Sequence, residues 1–168
     1  MELLASKLYK SQRPGRNEQN ILSAARHAFL KYGYHGTTLK MIARYAGTGR
    51  AAIHYYFRSK DLLFEIVLRH YIRLLLILVK DINAVDVELS FEKRKIEYPE
   101  LYSIAWFVAN EFNTNAEMAF TIINKDEEIR KEFHSAYENR GLKEKFERLI
   151  RINLHAILQK CRVRIEPL

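Results

Sequence analysis

The chain has 168 residues, a net charge of +8 and 48% apolar side chains, among them 9 Phe and 10 Tyr, with only 3 Pro and 6 Gly. That size excludes a large multidomain enzyme, and the breaker content is too low for a disordered chain, so a soluble globule is expected. A lone cysteine, Cys161, excludes an intramolecular disulfide and suits a reducing compartment. The longest apolar runs, 74–79 and 104–109, are far too short to span a bilayer, and the first 16 residues lack a signal-peptide pattern, so a cytoplasmic location is expected.

Charge is unevenly spread. Residues 1–60 carry 11 basic and 2 acidic side chains, whereas residues 61–168 carry 17 and 18. An excess confined to the first third is the footprint of a segment that meets a polyanion, the alternative being a solvated charged face without a partner.

In chain order, residues 1–16 read as a basic arm containing Pro14 and Gly15. Asn17 is a candidate N-cap for a first helix whose inward face is Ile21, Ala25, Ala28, Phe29 and Tyr32, ended by Gly33. Thr37 or Thr38 caps a second, short helix with Leu39, Ile42, Ala43 and Ala46 inward. It stops at Gly47. After the turn Gly47-Thr48-Gly49, a third helix over 50–57 points Ile53 and Phe57 inward, with Tyr56 as an added candidate. Arg50, Ala51, His54 and Tyr55 then face outward. Ser59 caps a helix of about 20 residues carried by Leu63, Val67, Tyr71, Leu74 and Leu78, long enough to link two layers.

Residues 83–97 read as a loop with one short helix. Tyr98-Pro99-Glu100 then opens a helix with the stripe Leu101, Ile104, Ala105, Val108 and Phe112. Helical pieces follow at 116–123 and at 126–137, the latter with Ile129, Phe133 and Tyr137 inward. Gly141 punctuates before a last stripe of Leu142, Phe146, Leu149, Ile150, Leu154, Ile157 and Leu158. No segment shows sustained period-two alternation, so the fold class is all-α.

Two short helices joined by a glycine turn inside the basic third have the form of a helix-turn-helix. A helix entering the major groove must be thin on one side, which Ala51 and Ala52 provide. Arg50 can donate two hydrogen bonds to a guanine edge, and His54 or Tyr55 can reach a phosphate or a base. Thr37, Thr38 and Lys60 lie at helix starts, where free N–H groups favour phosphate.

These residues resemble a family. Ile21-Leu22-Ser23-Ala24-Ala25, Phe29, Tyr32-Gly33-Tyr34, Thr37-Thr38, Ile42-Ala43, Ala46-Gly47, Ile53, Tyr56-Phe57 and Ser59-Lys60-Asp61-Leu62 look like the N-terminal domain of TetR/AcrR-type transcriptional regulators. The resemblance covers roughly residues 18–65. It implies a three-helix DNA-binding head, a long connecting helix, an all-helical ligand and dimerisation domain, and repression relieved by a small effector. The DNA-contacting roles would fall on Thr38, on Arg50, Ala51, Ala52, His54 and Tyr55, and on Lys60. The chain departs from the family pattern at Thr48-Gly49, in place of Val-Ser, at Ala51, in place of glycine, and at His54, in place of a phosphate-contacting tyrosine. Histidine is shorter and loses that hydrogen bond, or carries charge and strengthens binding at acidic pH; a surface histidine without a role is the third reading.

Tyr98-Pro99-Glu100-Leu101 with Asn110-Glu111-Phe112-Asn113 is similar to a pattern in one branch of that family. Tyr102, Trp106, Phe107, Asn110, Met118 and Phe120 are candidate effector-pocket residues, with ordinary core as the alternative. Residues 162–168 look like the turn that precedes the family's final dimerisation helices, so those helices are expected to be missing or reduced. No phosphate-binding loop, Cys-x-x-Cys, His-Glu-x-x-His or Gly-x-Ser-x-Gly occurs, and no enzyme, metal or cofactor is predicted. The expected organisation is an arm at 1–16, a helix-turn-helix domain at 17–58 and a helical ligand-binding and dimerisation domain at 59–168. The expected function is a sequence-specific regulator binding palindromic double-stranded operator DNA as a homodimer, a repressor released by a small effector, with no membrane partner. The alternatives are a truncated or divergent member that binds DNA weakly or nonspecifically, and a helical interaction module.

Overall fold

A computed structural model describes residues 15–81 and 99–150. Among them are eight α-helices and no strand, so the chain is all-α. The helices are α1 (Arg16–Gly36), α2 (Leu39–Ala46), α3 (Arg50–Phe57), α4 (Lys60–Asp81), α5 (Pro99–Thr114), α6 (Ala116–Lys125), α7 (Glu127–Glu138) and α8 (Arg140–Ile150). The expectations for the arm up to residue 14, for the loop at 83–97 and for residues 151–168, including Leu154, Ile157, Leu158 and the terminal turn, lie outside the described residues.

Local chemistry explains most boundaries. The Thr38 hydroxyl accepts from the Met41 N–H at 3.2 Å, Ser59 Oγ from Leu62 at 3.1 Å, Asp126 from Ile129 at 3.1 Å and Asn139 from Leu142 at 3.1 Å. Each satisfies an N–H that the first helical turn leaves without a partner. Gly47 closes α2 in the left-handed region (φ 63°, ψ 33°), with its own N–H and that of Thr48 turned back onto the Arg44 and Ala43 carbonyls.

Three boundaries differ from the sequence reading. α1 begins at Arg16 with Gly15 in the cap position, because the Gln19 N–H reaches the Gly15 carbonyl at 3.1 Å; Asn17 is already helical. Gly33 (φ 66°, ψ −177°) breaks α1, yet a last turn continues to Gly36. Gly141 lies inside α8, and Asn139 makes the break before it.

The head packs Ile21, Ala25, Ala28 and Phe29 of α1 with Ile42 of α2 and with Ile53 and Phe57 of α3, all buried. Tyr32 is not part of this core. It is partly exposed and pairs its hydroxyl with that of Tyr45 at 3.3 Å. α4 is the hub: it packs on α1, α3, α5, α6, α7 and α8. Its buried face is a double row, Leu63-Phe64, Val67-Leu68, Tyr71-Ile72, Leu75-Leu76 and Val79. Leu74 and Leu78, expected in the stripe, are only half-buried at its edge. All five inward residues expected on α5 are buried, joined by Phe107 and Glu111.

Aromatic rings tie the layers together. Phe29 meets Phe64 at 4.9 Å between ring centroids, Phe64 meets Phe107 at 6.3 Å, and Phe107 meets Tyr71 at 5.2 Å, all edge to face. α1 also packs directly on α5, so the head and the later helices share one apolar core.

Candidate nucleic-acid interface

The exposed face of α3 follows from its length. Eight residues give little more than two turns, and Ile53 with Phe57, four apart, consume the inward side. Arg50, Ala51, His54 and Tyr55 are therefore exposed together, and Tyr55 stands out at 82%. Ala52 is half-buried and packs against the core, so its part is to let α3 sit close to its neighbours.

His54 is oriented by its own helix end. Its Nδ1 lies 3.0 Å from the Arg58 carbonyl oxygen, an acceptor that requires the proton to be on Nδ1. With the proton on Nδ1, Nε2 is the acceptor of the ring and faces away from that bond. Arg58 itself sits at φ 58°, ψ −49°, in a three-residue turn closed by the Ser59 N–H on the Phe57 carbonyl at 2.6 Å.

Lys60 opens α4 beside this turn. Its ammonium lies 4.1 Å from the centroid of the Tyr34 ring, and burial holds its pKa below the ordinary lysine value, partly offset by Asp61. The Tyr34 hydroxyl donates to Asp61, and this bond, together with burial and the negative charge, raises the tyrosine pKa. Tyr34 thus props Lys60 and is anchored at its far end. Sequence reasoning missed this positioning role, since nothing in local spacing places residue 34 beside residues 60 and 61.

The two threonines separate. Thr38 is exposed and caps α2, where N–H groups at the helix start accompany an available hydroxyl. Thr37 is fully buried, with its hydroxyl on the Ala28 carbonyl at 3.1 Å and its N–H on the Tyr34 carbonyl. It belongs to the frame and not to the exposed face, a correction to its assignment as a DNA contact.

The six candidate effector residues differ in exposure. Phe107 is fully buried against Phe64 and Tyr71, while its neighbour Trp106 is 51% exposed. Adjacent residues on a helix point about 100° apart, so these two serve different surfaces. Phe120 rests on Phe112 at 5.8 Å, Met118 packs on the core, and Tyr102 and Asn110 are partly exposed. Among the described residues no cluster of three or more His, Cys, Asp or Glu could hold a metal, and no helix is long and apolar enough to cross a membrane.

Comparisons with known proteins agree with this geometry. Residues 21–67 match the family model of bacterial regulatory proteins, tetR family. The chain is 42% identical over 60 residues to the HTH-type transcriptional regulator RutR of Escherichia coli (strain K12), covering 36% of this chain and 28% of that one. It is 39% identical over 61 residues to the HTH-type transcriptional repressor NicS of Pseudomonas putida, covering 36% and 29%. It is 29% identical over 108 residues to the HTH-type transcriptional repressor AcnR of Corynebacterium efficiens, covering 62% and 55%. The chain thus spans less than two thirds of the length of each of these relatives. Residues 21–67, which hold the glycine turn and the start of the lysine-opened fourth helix, are the part of the chain that is similar to the tetR family of bacterial regulatory proteins.

Proposed function

We propose that the chain is a sequence-specific, double-stranded DNA-binding regulator that lays α3 in the major groove. The observation that carries the reading is the common exposure of Arg50, Ala51, His54 and Tyr55 on a short helix set by the Gly47 turn, within the residues similar to the tetR family. Arg50 is assigned to a base edge, Tyr55 and His54 to phosphate or base, and Thr38 and Lys60 to backbone phosphates at two helix starts. NicS and AcnR are named as repressors, which supports repression here, with release by a small effector. Two copies on a palindromic operator complete the reading, since paired heads read half-sites related by the protein's own two-fold axis.

The test is selection of duplexes from a random pool by the purified chain, followed by titration of the enriched sequence. An inverted repeat is expected. Arg50→Ala should cost about 1–3 kcal/mol at one base position, whereas Lys60→Ala should weaken all duplexes alike and reduce the slope of log affinity against log salt by about one. Salt-sensitive binding without any enriched sequence would reject the sequence-specific reading.

A further inference from the structure

Two hydrogen bonds tie His54 to a single residue. Its backbone carbonyl accepts the Arg58 N–H at 3.0 Å, and its Nδ1 donates to the Arg58 carbonyl at 3.0 Å. The turn that holds it is itself closed, with Arg58 at φ 58° and the Ser59 N–H on the Phe57 carbonyl. The imidazole is therefore oriented before any partner arrives, and little ordering is left for the moment of binding. Because Nδ1 is committed as the donor, the neutral ring offers at Nε2 a lone pair and no proton. The exposed face around it is open: Ala51, three residues earlier, carries only a methyl group, and Arg50 stands four residues earlier on the same face.

That polarity restricts what the ring can read. Phosphate oxygens, guanine O6 and N7 and thymine O4 are all acceptors, and each would set lone pair against lone pair. The donors on the major-groove edges are the adenine N6 and cytosine N4 amines. We propose that His54 is a specificity-determining residue whose Nε2 accepts a hydrogen bond from the exocyclic amine of an adenine or a cytosine. The assignment rests on the DNA-binding reading above and sharpens it, since of the two roles open to His54, base or phosphate, it takes the base. Arg50 has the opposite polarity, with donors only, and suits guanine. The Tyr55 hydroxyl both donates and accepts, so it imposes no such choice. Four residues along α3 rise about 6 Å, close to two base-pair steps of about 3.4 Å. Each half-site therefore holds a guanine for Arg50 and, about two positions away, an adenine or cytosine on one strand, with guanine and thymine disfavoured there.

The experiment is selection from a random duplex pool with the full native chain and with His54→Ala, followed by titration of the enriched duplex. The native chain is expected to enrich adenine or cytosine at one position of each half-site. His54→Ala, with an unchanged melting temperature, should lose that preference and keep the others. Its slope of log affinity against log salt should stay the same, because no phosphate contact is lost. His54→Gln, whose side-chain carbonyl also accepts, should recover part of the preference. The amine alone is then removed, with purine in place of adenine or pyrimidin-2-one in place of cytosine. This should weaken the native chain by about fivefold and His54→Ala by less than about twofold. Three results would each overturn the assignment: thymine or guanine at the position that responds to His54→Ala, an equal cost of amine removal in both proteins, or a uniform loss over all duplexes with a shallower salt slope. The last would place His54 on phosphate. A native pool without any enriched sequence refutes the sequence-specific reading and this assignment with it. An enriched pool whose base frequencies His54→Ala leaves unchanged at every position refutes the role of His54 alone.

Discussion

Two backbone positions carry strain of opposite consequence. Gly33 has a φ of 66° with ψ near 180°, a region essentially reserved for glycine, and its nearest obstacle to an added Cβ is Glu111 Oε1 at an ordinary 3.5 Å. Gly33→Ala is therefore expected to destabilise by about 1–3 kcal/mol through the backbone, without steric clash. Arg58 sits at φ 58° with a Cβ, so Arg58→Gly is expected to stabilise by about 1 kcal/mol. Urea unfolding midpoints of the two variants check both signs, and a stabilised Gly33→Ala would contradict the first. The glycine was visible in the sequence as a helix stop. The arginine was not, because its conformation is imposed by the distance between Phe57 and Ser59, which tertiary packing sets and composition does not report.

Among the helices, Asp126 carries two loads. Its carboxylate caps α7 through Ile129 and pairs with Arg73 of α4 through both oxygens, at 2.9 and 3.0 Å. Asp126→Ala removes the cap and the partner of a half-buried guanidinium, an expected loss of about 2–4 kcal/mol. Asp126→Asn keeps the cap, and its loss should be roughly half as large, measured as the difference in chemical unfolding free energy. Equal losses would assign no value to the charge. The sequence placed Asp126 at the start of a helical piece but could not show its second partner, 53 residues away. The same limit explains the other outcomes. Ile53 and Phe57 on α3 and the α5 stripe were legible because a 3.6-residue repeat determines them. Thr37, Lys60 on Tyr34, the double row on α4 and the split between Trp106 and Phe107 depend on what packs alongside, and one strand of sequence does not state that.

For the molecule as a whole, pH acts through His70. Its folded pKa of about 4 lies below the ordinary 6.5, so between these values the unfolded chain binds the extra proton. The stability contributed by keeping the ring neutral is complete above pH 6.5 and is lost as pH falls toward 4. Allowing for its partial exposure, the loss should be about 2 kcal/mol. His70→Gln is expected to flatten this part of the stability profile, compared by urea unfolding at pH 7 and pH 5; an identical slope in the two proteins would remove His70 as the cause.

The ring sequence Phe29, Phe64, Phe107, Tyr71 bears on how such heads can be exchanged. Phe64 touches an aromatic side chain of α1 on one side and of α5 on the other. A cut after residue 58 would strip the head of Phe64 and of the α5 surface that covers α1, exposing large apolar area on both fragments. Residues 15–58 expressed alone are accordingly expected to show no cooperative melting transition, and the full chain to show one. A graft that gives this head to another helical body must carry α4 through Tyr71 and supply an aromatic residue where Phe107 stands. The practical joint for recombination therefore lies on the outer surface of α5, well past the point where the basic third of the chain ends.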